Sequence, residues 1–206
     1  MTINTYATLK TAVANWLGGR SDLTSRIPEF IELAEDRIAH DLRVRAMETS
    51  ADVTISARTA SLPTSFLQMR RLYLNVTDVP ALEYVSPDNY WKKWGSATSG
   101  QPQIYTIEGE NLVFAPTPDS TYTGKALYYK RFTALSSDSD DNWILTNARG
   151  LYLYGALLEA APFIRNDPRL AIWSSMFDNT LDRVMAADMR DRHPSTLVQH
   201  PSFVPA

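Results

Sequence analysis

The chain has 206 residues, of which 44% are hydrophobic and 21% are charged, so it holds enough apolar material for a packed core and is not disordered throughout. Its formal net charge of −3 argues against a protein that coats DNA by neutralising phosphates. It contains no cysteine, which excludes disulfides, thiolate nucleophiles and cysteine-bound metal centres.

Two amphipathic helices are predicted at the N-terminal end. In the first, apolar residues recur at steps of three and four, and Gly18 and Gly19 end the pattern. The second begins near residues 25–28, runs to about residues 43–47 and leaves His40 on its solvent face. The predicted buried faces are Tyr6, Leu9, Val13 and Trp16 in the first helix and Ile27, Ile31, Ala34, Ile38 and Leu42 in the second.

The middle of the chain has the pattern of short β-strands. Glu108-Gly109-Glu110 is a hairpin signal with glycine in the loop, and Ser86-Pro87 predicts one short helix through Trp94. Strands at this spacing favour a small antiparallel sheet or a sandwich. The predicted strands cover residues 53–55, 69–74, 81–85, 103–107, 112–114 and 125–130.

Helical periodicity returns after a polar segment, residues 136–142, which is predicted to be a solvated linker. Thr146 or Asn147 is predicted to cap a helix that Pro162 ends, and Asp167 to cap the longest helix, which runs to about Arg190. The predicted buried faces are Leu151, Tyr154, Leu158 and Ala161 in the first of these helices and Leu170, Trp173, Phe177, Leu181 and Val184 in the second.

Together these elements predict an α+β fold. Residues 1–48 and 143–192 are expected to form a bundle of about four helices, two from each end of the chain. Residues 49–135 are expected to form an inserted small antiparallel β domain, joined to the second pair of helices by the linker at 136–142. Residues 193–206 contain three prolines and no helical face, so we expect an extended C-terminal tail.

That tail is a candidate binding segment. Its apolar residues are Leu197, Val198, Phe203 and Val204, too many for an end that only faces solvent. An extended segment of this kind can add to a sheet edge or lie in a groove of another subunit. The alternative is a frayed terminus with no role.

The sequence offers no recognisable catalytic or cofactor site. His193 and His200 have no third metal ligand at metal-binding spacing, and no nucleophile elbow, phosphate-binding loop or dinucleotide motif is present. Asp138, Asp140 and Asp141 lack the glycine and terminal glutamate of a calcium loop, so they are interpreted as part of the linker. We therefore predict that the protein is not an enzyme and has no catalytic residue, bound metal or cofactor.

Two residue groups leave a binding function open. Aromatic residues could form a platform for bases or sugars, although at strand and helix spacing they are more typical of a core. The pairs Arg43 with Arg45 and Arg70 with Arg71 could contact DNA or an acidic partner, or simply face solvent. The aromatic residues concerned are Tyr90, Trp91, Trp94, Tyr105, Tyr128 and Tyr129.

Neither secretion nor membrane insertion is predicted. Residues 1–6 lack the basic region and apolar run of a signal peptide. The longest mostly apolar stretch, residues 151–158, is far shorter than the roughly 20 residues that a membrane helix requires.

Three ordered stretches of the chain, spread over roughly residues 5–190, carry a family resemblance. The first contains IPEFIELAEDRI and then DLR. The second contains LEYVSP, GQP and FAPTP, and the third YYK, NWIL and LYLYGALLEAAP. In order and spacing the set resembles the adaptor, or head-to-tail connector, proteins of tailed bacteriophages.

The resemblance implies a homo-oligomeric ring, usually of twelve copies, beneath the portal vertex of the capsid. Such a ring extends the DNA channel, attaches the tail or nozzle and has no catalytic residues. Its partners would be the portal protein and a tail or nozzle protein, while packaged DNA passes through the lumen without specific binding. The protein would belong to the neck of the virion, after assembly in the host bacterial cytoplasm. The resemblance does not cover the C-terminal tail, which we expect from its own apolar residues to become ordered on the portal or on a neighbouring copy.

Two other functions stay open from the sequence. One is a β-rich binding module of a phage tail that recognises a sugar or a receptor through its tyrosines and tryptophans. The other is a small enzyme without a recognisable motif.

Overall fold

The structure, a computed structural model, describes residues 2–76, 81–95, 99–164 and 167–192. Over these residues the chain is a mixed α and β protein with six α-helices and two small sheets. It divides into two compact units. The helical unit consists of Met1–Ala46 and Phe132–Ala206, and the β unit is Met47–Arg131.

Five of the described helices belong to the helical unit. The central one, α5, packs against α1, α2 and α6. The bounds of the five are Tyr6–Trp16 for α1, Ile27–Asp41 for α2, Trp143–Asn147 for α4, Arg149–Glu159 for α5 and Leu170–Arg192 for α6.

Local sequence sets the ends of the first two helices. Thr5 and Thr8 form a reciprocal capping box at the start of α1, and Gly18 and Gly19 follow its end with positive φ angles of 78° and 68°. In α2, Pro28 occupies the first turn, where no intrahelical partner for its nitrogen is needed. The whole predicted apolar face of α2 is buried, together with Phe30 and Ala39.

The prediction for the third helical segment is wrong at its start. Asn142 caps a short helix, α4, by accepting a hydrogen bond from Leu145 N at 3.1 Å, and α5 begins only after Ala148. Helix α5 is buried on nearly all sides rather than along one stripe, because three helices pack around it. It ends at Glu159, and Pro162 lies in the 3₁₀ turn that follows.

The start of α6 follows its predicted cap. The carboxylate of Asp167 accepts a hydrogen bond from Arg169 N at 2.9 Å, and the helix runs from Leu170 to Arg192. Trp173 and Phe177 are both buried, as predicted. They are the buried residues of α6, whereas Leu181 and Val184 are only half-buried.

Residues 136–142 are held by hydrogen bonds within the helical unit. The Asp140 carboxylate accepts from Ser136 N at 2.9 Å and from Ser137 N at 2.7 Å. The carbonyl groups of Asp138 and Asp140 accept from the first free amides of α1, Ala7 N and Tyr6 N. This segment therefore caps the N-terminus of α1 through its backbone, while residues 136–139 and 141 are exposed.

The β unit contains two sheets. The first has the order β1-β7-β3 and is antiparallel, and the second has the order β2-β6-β5-β4. The bounds are Glu48–Ile55 for β1, Thr59–Ser61 for β2, Phe66–Leu74 for β3, Glu83–Tyr84 for β4, Ile104–Glu108 for β5, Asn111–Ala115 for β6 and Tyr122–Lys130 for β7.

The prediction of a wholly antiparallel β domain is wrong for one pair. Strand β4 runs parallel to β5, with Glu83 opposite Ile104 and Tyr84 opposite Tyr105. The connection between them contains the predicted short helix, α3 (Pro87–Trp94), and a crossover of this kind returns the chain to the same end of the sheet. The β5–β6 hairpin forms as predicted, with Gly109 at a φ of 58°.

Apolar side chains from both sheets form the main core of the β unit. A second, smaller core joins α3 to the other face of the second sheet through Tyr90, which is fully buried. The main core contains Val53, Ile55, Leu72, Leu74, Leu82, Tyr105, Leu112, Phe114, Ala126 and Tyr128.

Candidate interaction surfaces

The predicted binding residues of the tail cannot be placed. Leu197, Val198, Phe203 and Val204 lie outside the described residues, as do His193 and His200. The surfaces below belong to the described part of each unit, taken separately.

Helix α6 presents large apolar side chains to solvent in the helical unit. Ile172 is 56% exposed, Met176 is 46% exposed and Met189 is 57% exposed. Each of the first two directly precedes a buried aromatic residue, so the helix buries one side and exposes a neighbouring apolar side. Exposed apolar residues grouped on one helix are typical of a protein-binding surface.

Two further apolar side chains are exposed on other helices of the same unit. Trp16, at the end of α1, is 43% exposed, although its ring contacts Tyr154 edge to face at 5.9 Å. Leu33, on α2, is also 43% exposed. The prediction that Trp16 belongs to the buried face of α1 is wrong, because the helix ends there and the chain turns away at Gly18.

A groove of about 460 Å³ lies beside the C-terminal half of α6. Half-buried apolar side chains form part of its lining, and two carboxylates and one arginine add charge. The lining residues are Arg45, Ala46, Trp143, Asn147, Val184, Ala187, Asp188 and Asp191.

Hydrogen bonds and a stacked pair of aromatic rings hold the walls of this groove in place. Asp188 accepts hydrogen bonds from Arg45 N at 2.7 Å and from Arg192 Nε at 2.5 Å, so it joins the segment after α2 to the last turn of α6. The Trp143 ring stacks on Phe132 with a centroid distance of 5.6 Å and an interplanar angle of 3°. We call this site the α6 groove.

A hydrogen-bonded polar cluster lies inside the helical unit. Glu35 Oε1 accepts from Leu135 N at 2.9 Å and from Tyr152 OH at 3.0 Å, and Asn142 donates its side-chain amide to Tyr152 OH at 2.6 Å. Burial raises the pKa of the Glu35 carboxyl above its ordinary value of 4.5, and the two hydrogen bonds that it accepts oppose this shift. Burial also raises the pKa of Tyr152.

Sequence reasoning missed this cluster. Glu35 lies off the predicted apolar face of α2, and nothing in the local pattern indicates that Leu135 and Tyr152, 100 and 117 positions away, meet it there. The cluster binds α2, α5 and the returning chain to one another. The cluster has a structural role, because hydrogen bonds join the Glu35 carboxylate to Tyr152 OH and to Leu135 N, and Tyr152 OH to the Asn142 amide.

The structure does not assemble the proposed aromatic platform for sugars or bases. Of its six members, Tyr90, Tyr105, Tyr128 and Tyr129 are buried in the β unit. Trp91 is 50% exposed, but its indole nitrogen donates to Glu108 and Arg58 lies 4.9 Å from its ring centroid. The sixth, Trp94, packs against the small core below α3.

The two arginine pairs are engaged in local contacts. Arg43 donates to the carbonyl groups of Ala39 and Leu42. Arg70 pairs with Glu48 and donates to Tyr129 OH, and Arg71 donates to Tyr73 OH. Arg45 contributes to the α6 groove. Neither pair forms a basic stripe of the kind that follows a nucleic-acid backbone.

The candidate metal ligands and the helices give two further findings. Among the residues that the structure describes, no group of three or more potential ligands is arranged to hold a metal ion. Asp138 instead pairs with Lys10 at 2.5 Å, and His40 is exposed. None of the described helices combines the length and the apolar character required to span a bilayer.

Comparison with known proteins identifies the family. The family model described as SU10 adaptor protein matches residues 4–200, nearly the whole chain. A comparison with curated proteins gives no match. The family match confirms the resemblance to tailed-phage adaptors and agrees with helices that expose apolar side chains to potential protein partners. The chain belongs to the SU10 adaptor protein family, a family of bacteriophage structural proteins.

Proposed function

We propose that this adaptor forms a ring of twelve copies beneath the portal, where it extends the DNA channel and attaches the tail or nozzle. The observation that carries the proposal is the apolar pair Ile172 and Met176, one turn apart on α6, which are 56% and 46% exposed in the single chain. Family membership supplies the setting in which these residues would find a partner.

A closed ring requires two different surfaces on each copy that fit each other. The helical unit offers exposed apolar residues on more than one helix, with Ile172 and Met176 on α6 and Leu33 on α2. We assign the contact between neighbouring copies to these helices. Burying them in a ring removes apolar area from water, which favours association.

Passage of DNA through the ring requires weak interaction with phosphates. The net charge of −3 and the local pairing of Arg70 and Arg71 support a lumen that does not neutralise the DNA backbone. In this proposal the protein guides packaged DNA without binding it specifically. It performs no catalysis, and it holds no metal or cofactor.

The rest of the proposal concerns organisation and location. The helical bundle is assigned to residues 1–48 and 143–192 and the inserted β domain to 49–135, joined by 136–142. The tail at 193–206 is assigned the contact with the portal or a neighbouring copy, through Leu197, Val198, Phe203 and Val204. The protein would assemble in the host bacterial cytoplasm and remain in the neck of the virion.

The ring can be tested with purified adaptor and portal. We expect the mixture to form a complex whose mass corresponds to one portal and twelve adaptor copies. The double variant I172D/M176D should remain folded but fail to form it, because charges on an apolar contact oppose its burial. The variant S175D adds a charge at an exposed polar position of the same helix and should assemble normally.

Cryo-electron microscopy of the parent virus provides the decisive control. Density for this chain in a ring against the portal is the expected result. Density in an isolated trimeric fibre, or anywhere other than the portal vertex, would contradict the proposal and favour the phage-tail binding module.

A further inference from the structure

The α6 groove resembles a peptide-binding site, because apolar side chains that line it remain partly exposed to solvent. Its volume of about 460 Å³ is within the range of about 300–1,000 Å³ that is usual for ligand sites. Trp143, Val184 and Ala187 are half-buried in it, so their apolar surface stays partly in contact with water. Asp191 adds an exposed carboxylate at its rim.

The chain itself continues from this rim. Helix α6 ends at Arg192, one residue after Asp191 of the groove. Residues 193–206 follow with the sequence HPSTLVQHPSFVPA, which carries four apolar anchors and two histidines but no aspartate or glutamate. Such a segment can place apolar anchors on Trp143, Val184 and Ala187 without bringing a second carboxylate close to Asp191.

The first residues of this segment favour a reversal of the chain. His193-Pro194-Ser195-Thr196 has proline at the second position, as β-turns commonly do, and proline is also common just after the end of a helix. A turn at these four residues directs the following ones back along α6. The next two residues are the anchors Leu197 and Val198.

The distances fit such a path. Val184 precedes Arg192 by eight residues, which is about 12 Å along a helix at about 1.5 Å per residue. An extended chain advances about 3.3 Å per residue, so four residues beyond the turn span the same length. The segment from Leu197 onward can therefore cover Ala187 and Val184.

We propose that residues 197–204 occupy the α6 groove of their own chain before the adaptor meets its partners. Attachment one residue from the rim gives the segment a high effective concentration at this groove, which a neighbouring copy would have to match. In this arrangement His193 would lie beside the rim carboxylate of Asp191, and the segment itself would bring no carboxylate to the groove.

This docking would hold the tail anchors away from unintended partners until assembly. If the proposed function is right, the portal competes for the same four apolar residues and withdraws them from the groove. The docking in the free chain does not depend on that step, so the two proposals can fail separately.

A cysteine pair tests the docking directly, because the natural chain has no cysteine. The double variant A187C/Q199C should form a disulfide within one chain, because the third residue beyond the turn lies level with Ala187 and the bond requires Cα atoms within about 7 Å of each other. The yield, measured by mass spectrometry and by mobility without reductant, should not depend on protein concentration. The matched control is S175C/Q199C, which has its helix cysteine twelve residues before position 187, and it should crosslink several-fold less.

Three results would overturn the proposal: no disulfide in the test pair, an equal yield in the control, or disulfides that join two chains. The last would assign the groove to the tail of a second copy. An independent measurement uses Trp143 in the full chain. The variant L197D/F203D should increase quenching of tryptophan fluorescence by acrylamide, a neutral quencher, and the increase should vanish when W143F is added; unchanged quenching would also contradict the docking.

Discussion

Trp173 and Phe177 are the residues through which α6 is anchored to its unit. Both are almost completely buried, with 2% and 3% exposure, and Phe177 contacts α5 close to Gly155. Truncation to alanine should lower the free energy of unfolding by about 3–5 kcal/mol, because a large cavity remains. Denaturant unfolding measures this change.

The neighbouring residue Ile172 provides a matched control for that prediction. It is 56% exposed, so I172A should change the free energy of unfolding by less than about 1 kcal/mol. An equal loss of stability in I172A and W173A would contradict the exposure of Ile172 and the burial of Trp173.

Glu35 should make the stability of the protein depend on pH in an unusual direction for a carboxyl group. Its pKa is raised in the folded state, mainly by burial. The contribution of such a group is fully present below its unfolded pKa and is lost as the pH rises through its folded pKa. The variant E35Q lacks this titration, and its amide oxygen can still accept the bonds from Leu135 N and Tyr152 OH.

We therefore expect the stability of E35Q relative to the natural protein to increase from mildly acidic to neutral pH. Unfolding curves of both proteins across that range measure the trend. The variant E32Q, at an exposed position of the same helix, serves as the control and should show no comparable trend. A relative stability of E35Q that falls with rising pH would contradict the assigned direction.

At the scale of elements, helices α5 and α2 pack closely against each other at Gly155. A Cβ atom added at Gly155 would lie 3.0 Å from Ala34 Cβ, which is attached directly to the backbone of α2. The variant G155A should therefore lower the free energy of unfolding by about 1–3 kcal/mol, despite the higher helix propensity of alanine.

Gly150, on the same helix, offers the comparison. A Cβ atom there would meet the ends of the Tyr154 and Thr180 side chains at 3.3 and 3.4 Å, and side-chain ends can move. We expect G150A to change stability by less than about 1 kcal/mol. Thermal or denaturant unfolding of both variants distinguishes them, and equal effects would argue against a tight α2–α5 contact.

Periodicity predicted elements well where one face of a helix is covered and poorly where several are. Helix α2 has a single buried side, and its stripe from Ile27 to Leu42 is recovered residue by residue. Helix α5 is central, so its neighbours bury Tyr152, Leu153 and Leu157 as well as Leu151. A pattern of one stripe cannot indicate how many partners surround a helix.

Tertiary contacts also explain the capping role of the segment at 136–142, which the sequence does not indicate. Its serines and aspartates are typical of a solvated loop, but Asp140 and Asp138 place their carbonyl groups on the first amides of α1. Because these capping carbonyl groups lie more than 130 positions from the start of α1 in the sequence, the residues around α1 do not indicate them. The parallel β4–β5 pair was missed for a related reason, because strand direction depends on the crossover through α3 and not on the strands themselves.

On the scale of the whole molecule, the elements of the β unit are continuous in sequence, whereas the helical unit combines both ends of the chain. The chain thus enters the β unit from one part of the helical unit and returns to another. For an adaptor this arrangement keeps α6, with its exposed Ile172 and Met176, on the same unit that the tail leaves at Arg192. The 20 helical residues between Ile172 and Arg192 span about 30 Å, so the exposed apolar pair and the start of the tail lie at opposite ends of α6.

The tail provides the last prediction. Deleting residues 193–206 should leave a chain that still unfolds cooperatively, because the buried hydrophobic residues in the described part of both units all precede position 193. The truncated adaptor should nevertheless fail to join the portal complex, since the anchors Leu197, Val198, Phe203 and Val204 are lost. Co-sedimentation with purified portal, followed by mass measurement, tests this outcome.

A full-length variant separates the anchors from chain length in that experiment. Replacing the four anchor residues by serine keeps the same backbone and prolines, and it should abolish portal binding as the deletion does. Contacts by these side chains must exceed the entropy lost when the segment is ordered, and serine removes the apolar area that supplies the gain. The control variant S195A/Q199A/S202A alters only polar tail positions and should bind normally. Normal binding by the serine variant would show that the apolar residues of the tail do not attach the adaptor to the portal.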